Sequence, residues 1–260
     1  MNAPLDGLTL VVTRPAAQAG PFLALAGGAG AHCLAFPTLE IERLALTPPA
    51  RAAVLAAPWD WAIYTSTNAV EAAFAELGPL PAQHLAAVGR ATARALEQRG
   101  LAPRLRPGSA NSEGLLALPD LQDVAGQRVL LVKGAGGRDL LRATLEARGA
   151  HVETVELYRR APARPSPESA EALLAALASR ERRLVVAVTS VEVLEALLAL
   201  VPVHAADRLR TAALLVPGAR VAGAARDAGW TGTVVQAATA EDHAMLEALV
   251  AWAGGPSRAA

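Results

Sequence analysis

Two stretches of this chain carry the same ordered run of strand and helix signals. Leu8–Arg14 (LTLVVTR) reads as a short strand; a helical stretch follows, then Gly30-Ala31-His32 ahead of an extended run. Arg128–Lys133 (RVLLVK) reads as a strand again, followed by a helix from Asp139 and by Gly149-Ala150-His151 ahead of another extended run. The parallel continues. Trp61–Ser66 leads into a helix through Leu77, and Leu184–Ser190 into one through Leu200. Leu85–Gly89 precedes a helix ending near Gly100, and Ala213–Gly218 one ending near Gly229. Ser112-Glu113 opens a short helix, and Glu241-Asp242 opens its counterpart. Short apolar strands alternating with amphipathic helices imply parallel sheets covered on both faces. Gly100, Gly149 and Gly229 stand where a left-handed residue stops a helix.

Two segments exceed the pattern. His32–Leu44 (HCLAFPTLEIERL) and His151–Arg160 (HVETVELYRR) are extended runs about twice the usual strand length of five or six residues. They occupy equivalent places in the two units and are expected to be a pair of strands crossing between two lobes. The first lobe would then be 1–37 plus 160–260, the second 44–152, and the connecting strands 38–43 and 153–159. Spacing alone also admits two consecutive domains joined near Gly126. Either way the fold class is α/β, with two lobes that are each a parallel sheet flanked by helices.

Composition narrows the function. A chain of 260 residues has length enough for two domains, and 53% hydrophobic residues give each a core. The formal net charge of zero argues against nucleic acid, whose phosphates call for a basic excess. Cys33, the single cysteine, has no disulfide partner and reads as a buried thiol. His32, His84, His151, His204 and His243 lack the spacing of a metal site, so no metal is expected. No apolar run reaches membrane-spanning length, and Met1–Gly7 does not read as a signal peptide, so a cytoplasmic location is expected.

In open parallel sheets, ligands gather beyond the carboxyl ends of the strands. The residues expected there are Arg14, Thr65, Ser66, Asn68, Gly89, Thr92, Lys133, Gly134, Arg138, Thr189, Ser190, Gly218 and Arg220. They combine hydroxyls, cations and free backbone N–H groups at helix starts, the equipment for holding anions. A helix N-cap is the plain alternative for any one Ser or Thr. Gly134, Gly136 and Gly137 do not fit the dinucleotide fingerprint G-x-G-x-x-G. Nucleophile elbow, Walker loop and zinc-protease motifs are absent from the sequence. An enzyme of this kind would orient its substrate and supply one proton donor, for which Tyr158, on the second crossing strand, is the candidate.

The ordered set of runs YTSTNAVEAAF (Tyr64–Phe74), AVGRATARALEQRG (Ala87–Gly100), VLLVKGAGGRDLLRATLEARGAHVETVELYRR (Val129–Arg160) and VTSVEVLEALL (Val188–Leu198) resembles the uroporphyrinogen-III synthase family. VVTRP (Val11–Pro15) resembles its first strand and turn, and the likeness covers nearly the whole chain. The resemblance implies two lobes, a discontinuous first domain and a two-stranded connector. It also implies a cyclising hydro-lyase of tetrapyrrole (haem, sirohaem or cobalamin) biosynthesis. Linear hydroxymethylbilane, with four acetates and four propionates, loses water and closes with inversion of its last pyrrole ring, without a cofactor. Tyr158 matches the family tyrosine proposed to assist loss of the hydroxyl, and Thr92 matches a family threonine. The implied partners are this small polycarboxylate and, transiently, the bilane-forming enzyme, with the protein a monomer. The chain departs from the family where Gly218-Ala219-Arg220-Val221 stands in place of Gly-Pro-Thr-Thr. That loss of a hydroxyl leaves an inactive tetrapyrrole- or polycarboxylate-binding sensor as the alternative.

Overall fold

The computed structural model describes residues 3–108, 111–179 and 181–255. The chain opens with β1 (Leu8–Val12), α1 (Ala16–Gly28) and β2 (His32–Ala35), then β3 (Leu39–Arg43) and α2 (Pro48–Ala56). Next come β4 (Trp59–Tyr64), α3 (Thr67–Glu76), β5 (Ala82–Ala87), α4 (Arg90–Glu97) and α5 (Ser112–Leu116). β6 (Arg128–Gly134), α6 (Leu140–Ala147) and β7 (His151–Pro162) follow, with α7 (Pro167–Ala178) behind them. The last stretch is β8 (Arg183–Ala187), α8 (Val191–Leu200), α9 (Val203–Thr211), β9 (Ala213–Pro217), α10 (Ala219–Asp227), β10 (Val234–Ala237) and α11 (Asp242–Ala253).

Two compact units result, unit 1 from Met1–Glu40 with Ala161–Ala260 and unit 2 from Ile41–Arg160. Both chain crossings therefore fall inside strands, β3 and β7. Unit 1 holds the sheet β10-β9-β8-β1-β2, parallel at each pair. The other sheet runs β3-β7-β6-β4-β5, with β7-β6-β4-β5 parallel. β3 runs antiparallel to β7, as shown by the bonds Leu44 N to Leu157 O and Ala163 N to Thr38 O.

The sequence repeat is spatial as well as ordinal. β9-β8-β1-β2 in unit 1 corresponds strand for strand to β5-β4-β6-β7 in unit 2. Even β10 has a remnant: Leu105 makes an isolated parallel bridge to Ala86, beside β5. The segments are interleaved, however. The first strands of the chain pair with its last third, while the middle of the chain builds unit 2.

The strands β1, β4, β6, β8 and β9 are buried on both faces along their middles, which is why they read as near-continuous apolar runs rather than alternating ones. In unit 1, Val11, Val186 and Leu214 face one layer with α7 to α10, and Leu10, Val185 and Leu215 face the other with α1 and α11. In unit 2, Tyr64, Leu130 and Val132 pack against α3 and α4, while Ile63, Val129 and Leu131 pack against α5 and α6. Gly100, Gly149 and Gly229 have φ of 75°, 84° and 81°, the left-handed stops their positions suggested.

One expectation needs correction. His32–Leu44 is not a single extended run. It splits into β2, an edge of the unit 1 sheet, and β3, with a break at Phe36–Thr38. Pro37 has no N–H to offer a ladder, and Phe36 and Leu39 turn into the unit 1 core instead. His151–Arg160 is continuous and runs on to Pro162, with the part up to Tyr158 paired to β6 as a full member of its sheet.

Candidate functional site

The carboxyl ends of β4, β6 and β7 converge on Tyr158. Its ring lies directly over Gly134, its partner in the β6–β7 register. A Cβ added at Gly134 would sit 2.5 Å from Tyr158 Cζ and under 3 Å from two more ring atoms. Glycine is thus what lets the ring lie flat against the neighbouring strand. The same pairing carries a register shift between Lys133 and Gly134, and Ala135 N donates to Tyr158 O at 2.7 Å. Tyr158 is only 4% exposed.

The Tyr158 hydroxyl is 2.9 Å from Ser66 Oγ, and either can donate. Ser66 is the N-cap of α3 and accepts from Ala69 N at 3.0 Å. A serine oxygen has one hydrogen and two lone pairs. With one lone pair committed to Ala69, the Ser66 proton can go to Tyr158 and leave the phenol hydrogen free to donate elsewhere. The cap and the tyrosine are one device.

The other expected residues of unit 2 surround this pair. Thr65 closes β4, its hydroxyl donating to Val132 O at 3.3 Å. Lys133 lies opposite Glu156 in the ladder, with Nζ 4.0 Å from the carboxylate and the lysine side chain 17% exposed. Asn68, in the first turn of α3, is half-buried and already engaged in an interaction. Gly89 is the buried N-cap of α4. Thr92, one turn in, is buried at 4% exposure, and its hydroxyl has no hydrogen bond among the described residues. Arg138 is exposed and bridges Glu113 at 2.6 Å. Glu113 is held below the usual carboxylate range by its own backbone N–H and by Arg138.

Unit 1 presents the matching strand ends. Ser190 caps α8, accepting from Val193 N at 3.2 Å, and Thr189 beside it is half-buried. Gly218 precedes α10 with φ of 84°, a conformation that favours glycine, and Arg220 is exposed. Arg14 departs most from expectation. It is 9% exposed, pairs with Asp242, donates to Ala240 O at 2.9 Å and stacks 5.0 Å over Phe22. Its guanidinium clamps the start of α11. Cys33 is half-buried, and burial pushes its thiol pKa up.

Sequence reasoning missed the Ser66–Tyr158 contact, which joins residues 92 apart and leaves no local periodic signal. It also missed Tyr64. This second tyrosine, at the end of β4, is fully buried, and its hydroxyl has no partner among the described residues.

Residues 21–247 match the sequence profile described as Uroporphyrinogen-III synthase HemD. The chain belongs to this family. It is 34% identical over 252 residues to the uroporphyrinogen-III synthase of Salmonella typhimurium, covering 93% of this chain and all of that one. It is also similar to a crystal structure of a mutant uroporphyrinogen III synthase from Thermus thermophilus, with 27% identity, a TM-score of 0.58 and coverage of 93% here and 97% there. A uroporphyrinogen-III synthetase structure from Helicobacter pylori shares the fold at a TM-score of 0.61 and 16% identity, over 95% of this chain and 99% of that one. Among the described residues, no helix is long and apolar enough to cross a membrane.

Proposed function

We propose that this chain is a cyclising lyase that converts linear hydroxymethylbilane to uroporphyrinogen III. The observation that carries the reading is a capped, pre-oriented tyrosine at the strand ends of a chain that belongs to this family. Ser66, oriented by Ala69 N, gives its proton to the Tyr158 oxygen. The Tyr158 hydrogen then goes to the departing hydroxyl, which leaves as water. The last pyrrole then attacks the resulting cation through the carbon that already bears its bridging methylene. That methylene's bond breaks and re-forms at the ring's free α-carbon, so the ring is inverted as the macrocycle closes, and the proton lost on rearomatisation returns to Tyr158. Loss of water with ring closure is redox-neutral, so the reaction calls for no electron carrier, and we read the enzyme as cofactor-independent.

Thr65, Asn68, Gly89, Thr92, Lys133, Gly134 and Arg138 are read as contacts for the acetate and propionate groups. Thr189, Ser190, Gly218 and Arg220 offer donors of the same kind in unit 1, and Arg14 supports them by fixing α11. Helix starts and neutral hydroxyls suit a substrate with many carboxylates, each of which needs a donor rather than a full countercharge. The reading takes the protein to act as a cytoplasmic monomer on a small molecule.

The test is coupled conversion of porphobilinogen by a bilane-forming enzyme, with the isomers resolved after oxidation. An excess of type III over type I product is expected. Type I alone, at any enzyme concentration, would overturn the reading.

A further inference from the structure

At the amino ends of its strands, away from the candidate site, unit 1 has a cavity of about 360 Å³. Arg182, Arg183 and Arg208 line it, with Trp252 and the hydroxyl-bearing Thr211 and Thr233. Among the described residues, no aspartate or glutamate lines it. Arg183 lies 5.0 Å over the Trp252 ring and donates to Ala253 O at 3.3 Å. Arg208 donates through Nε to Leu177 O at 2.8 Å. Two guanidinium groups are therefore anchored by one edge, with donors left over from the five each carries. Arg182 makes no hydrogen bond or ion pair among the described residues.

The internal repeat supplies a control. Unit 2 has a cavity of about 180 Å³ at the equivalent strand starts, where His84 stands in the place of Ala213 and Arg104 in that of Val234. Its cation is neutralised from within: Arg104 bridges Asp120 at 2.6 Å, and Asp60 is a second acid in the lining. The architecture makes a hollow at both places, but only in unit 1 is it lined by cations without acids. Guanidinium groups that line one cavity repel one another unless an anion joins them.

We propose that the unit 1 cavity is a binding site for a small organic polyanion carrying two or more phosphate or carboxylate groups. Anchored arginines lose little freedom on binding and engage such groups through paired N–H donors. This site is separate from the strand-end residues, and its occupancy does not depend on the reaction proposed for them.

Titration calorimetry on the full chain at constant ionic strength, with pyrophosphate and then citrate as probes, gives the test. Saturable binding is expected for the wild type. Arg182→Ala, which removes no hydrogen bond or ion pair among the described residues, should weaken it about tenfold, the scale of one charge-assisted hydrogen bond. Arg208→Lys, which retains the charge but not the fork, should weaken it as well. Arg220→Ala, at the strand-end set, should leave the affinity unchanged. Binding that survives both cavity variants but falls in Arg220→Ala would overturn the proposal, as would the absence of saturable binding by either probe.

Discussion

Gly134→Ala is the most informative single substitution, because it adds one methyl group at a point the structure defines closely. The new Cβ would stand 2.5 Å from Tyr158 Cζ, whereas resting carbon–carbon contacts lie at about 3.5–4.0 Å. The ring must retreat by about 1 Å. It is buried, packed in the same layer as Val132, Val155 and Leu157, so it has no open space to enter. Overpacking of this kind costs about 1–3 kcal/mol. A retreat of about 1 Å also carries the hydroxyl out of hydrogen-bonding range of Ser66, a further loss of about 1 kcal/mol. The expected total is about 2–4 kcal/mol in denaturant unfolding. Turnover in the coupled assay should fall at least tenfold, within the factor of about 10²–10⁴ that a general acid supplies. The decisive measurement is the double-mutant cycle with Tyr158→Leu, whose smaller side chain leaves room for the methyl. If Gly134→Ala costs as much stability in that background as in the wild type, the ring contact is not the cause and the reasoning fails.

Three further substitutions separate the roles of neighbouring groups. Tyr158→Phe keeps the ring over Gly134 and should lower turnover by about tenfold or more with the melting temperature nearly unchanged; full activity would remove Tyr158 as the proton donor. Tyr64→Phe deletes the partnerless hydroxyl and should be neutral or stabilising by up to about 1 kcal/mol. Burial pushes the Tyr64 pKa well above its usual value, so its share of stability is full below the unfolded value of about 10 and is lost as pH climbs toward the folded one. Tyr64→Phe should flatten that alkaline loss in urea melts at pH 9–11, and an unchanged slope would refute the assignment. Arg14→Met should cost about 2 kcal/mol by removing charge-assisted bonds to Asp242 and Ala240. A raised KM with unaltered stability would instead make Arg14 a substrate contact.

The fold was legible where local chemistry and burial coincide. Strands covered on both faces had to be apolar throughout, and the helix stops at Gly100, Gly149 and Gly229 needed left-handed backbone, so both left marks in the sequence. Ser66 and Ser190 were readable as helix caps for the same reason. What stayed hidden depends on which segments meet in space. Nothing around Arg14 says that it would turn to Asp242 rather than to a ligand, because the two residues are 228 apart. The break at Pro37 was visible as a residue but not as a change of sheet, since the segments on either side, HCLA and LEIER, both read as extended. The strand-end set was predicted by a rule about sheets, whereas the pairing of Tyr158 with Ser66 and its seat on Gly134 came only from register.

The interleaving of the two units sets a timetable for synthesis. Unit 2 is contiguous from Ile41 to Arg160 and can close as soon as it leaves the ribosome. β1 cannot, because its central partner β8 begins at Arg183. β2 and α1 cover one edge and one face of β1 early, but at about 5–20 residues per second the apolar strand Leu8–Val12 waits on the order of ten seconds with its other edge and its other face uncovered. A cell making this protein must shield its first strand while unit 2 is already finished. A ribosome stalled before β8 would release a chain with one folded unit and a sticky amino terminus.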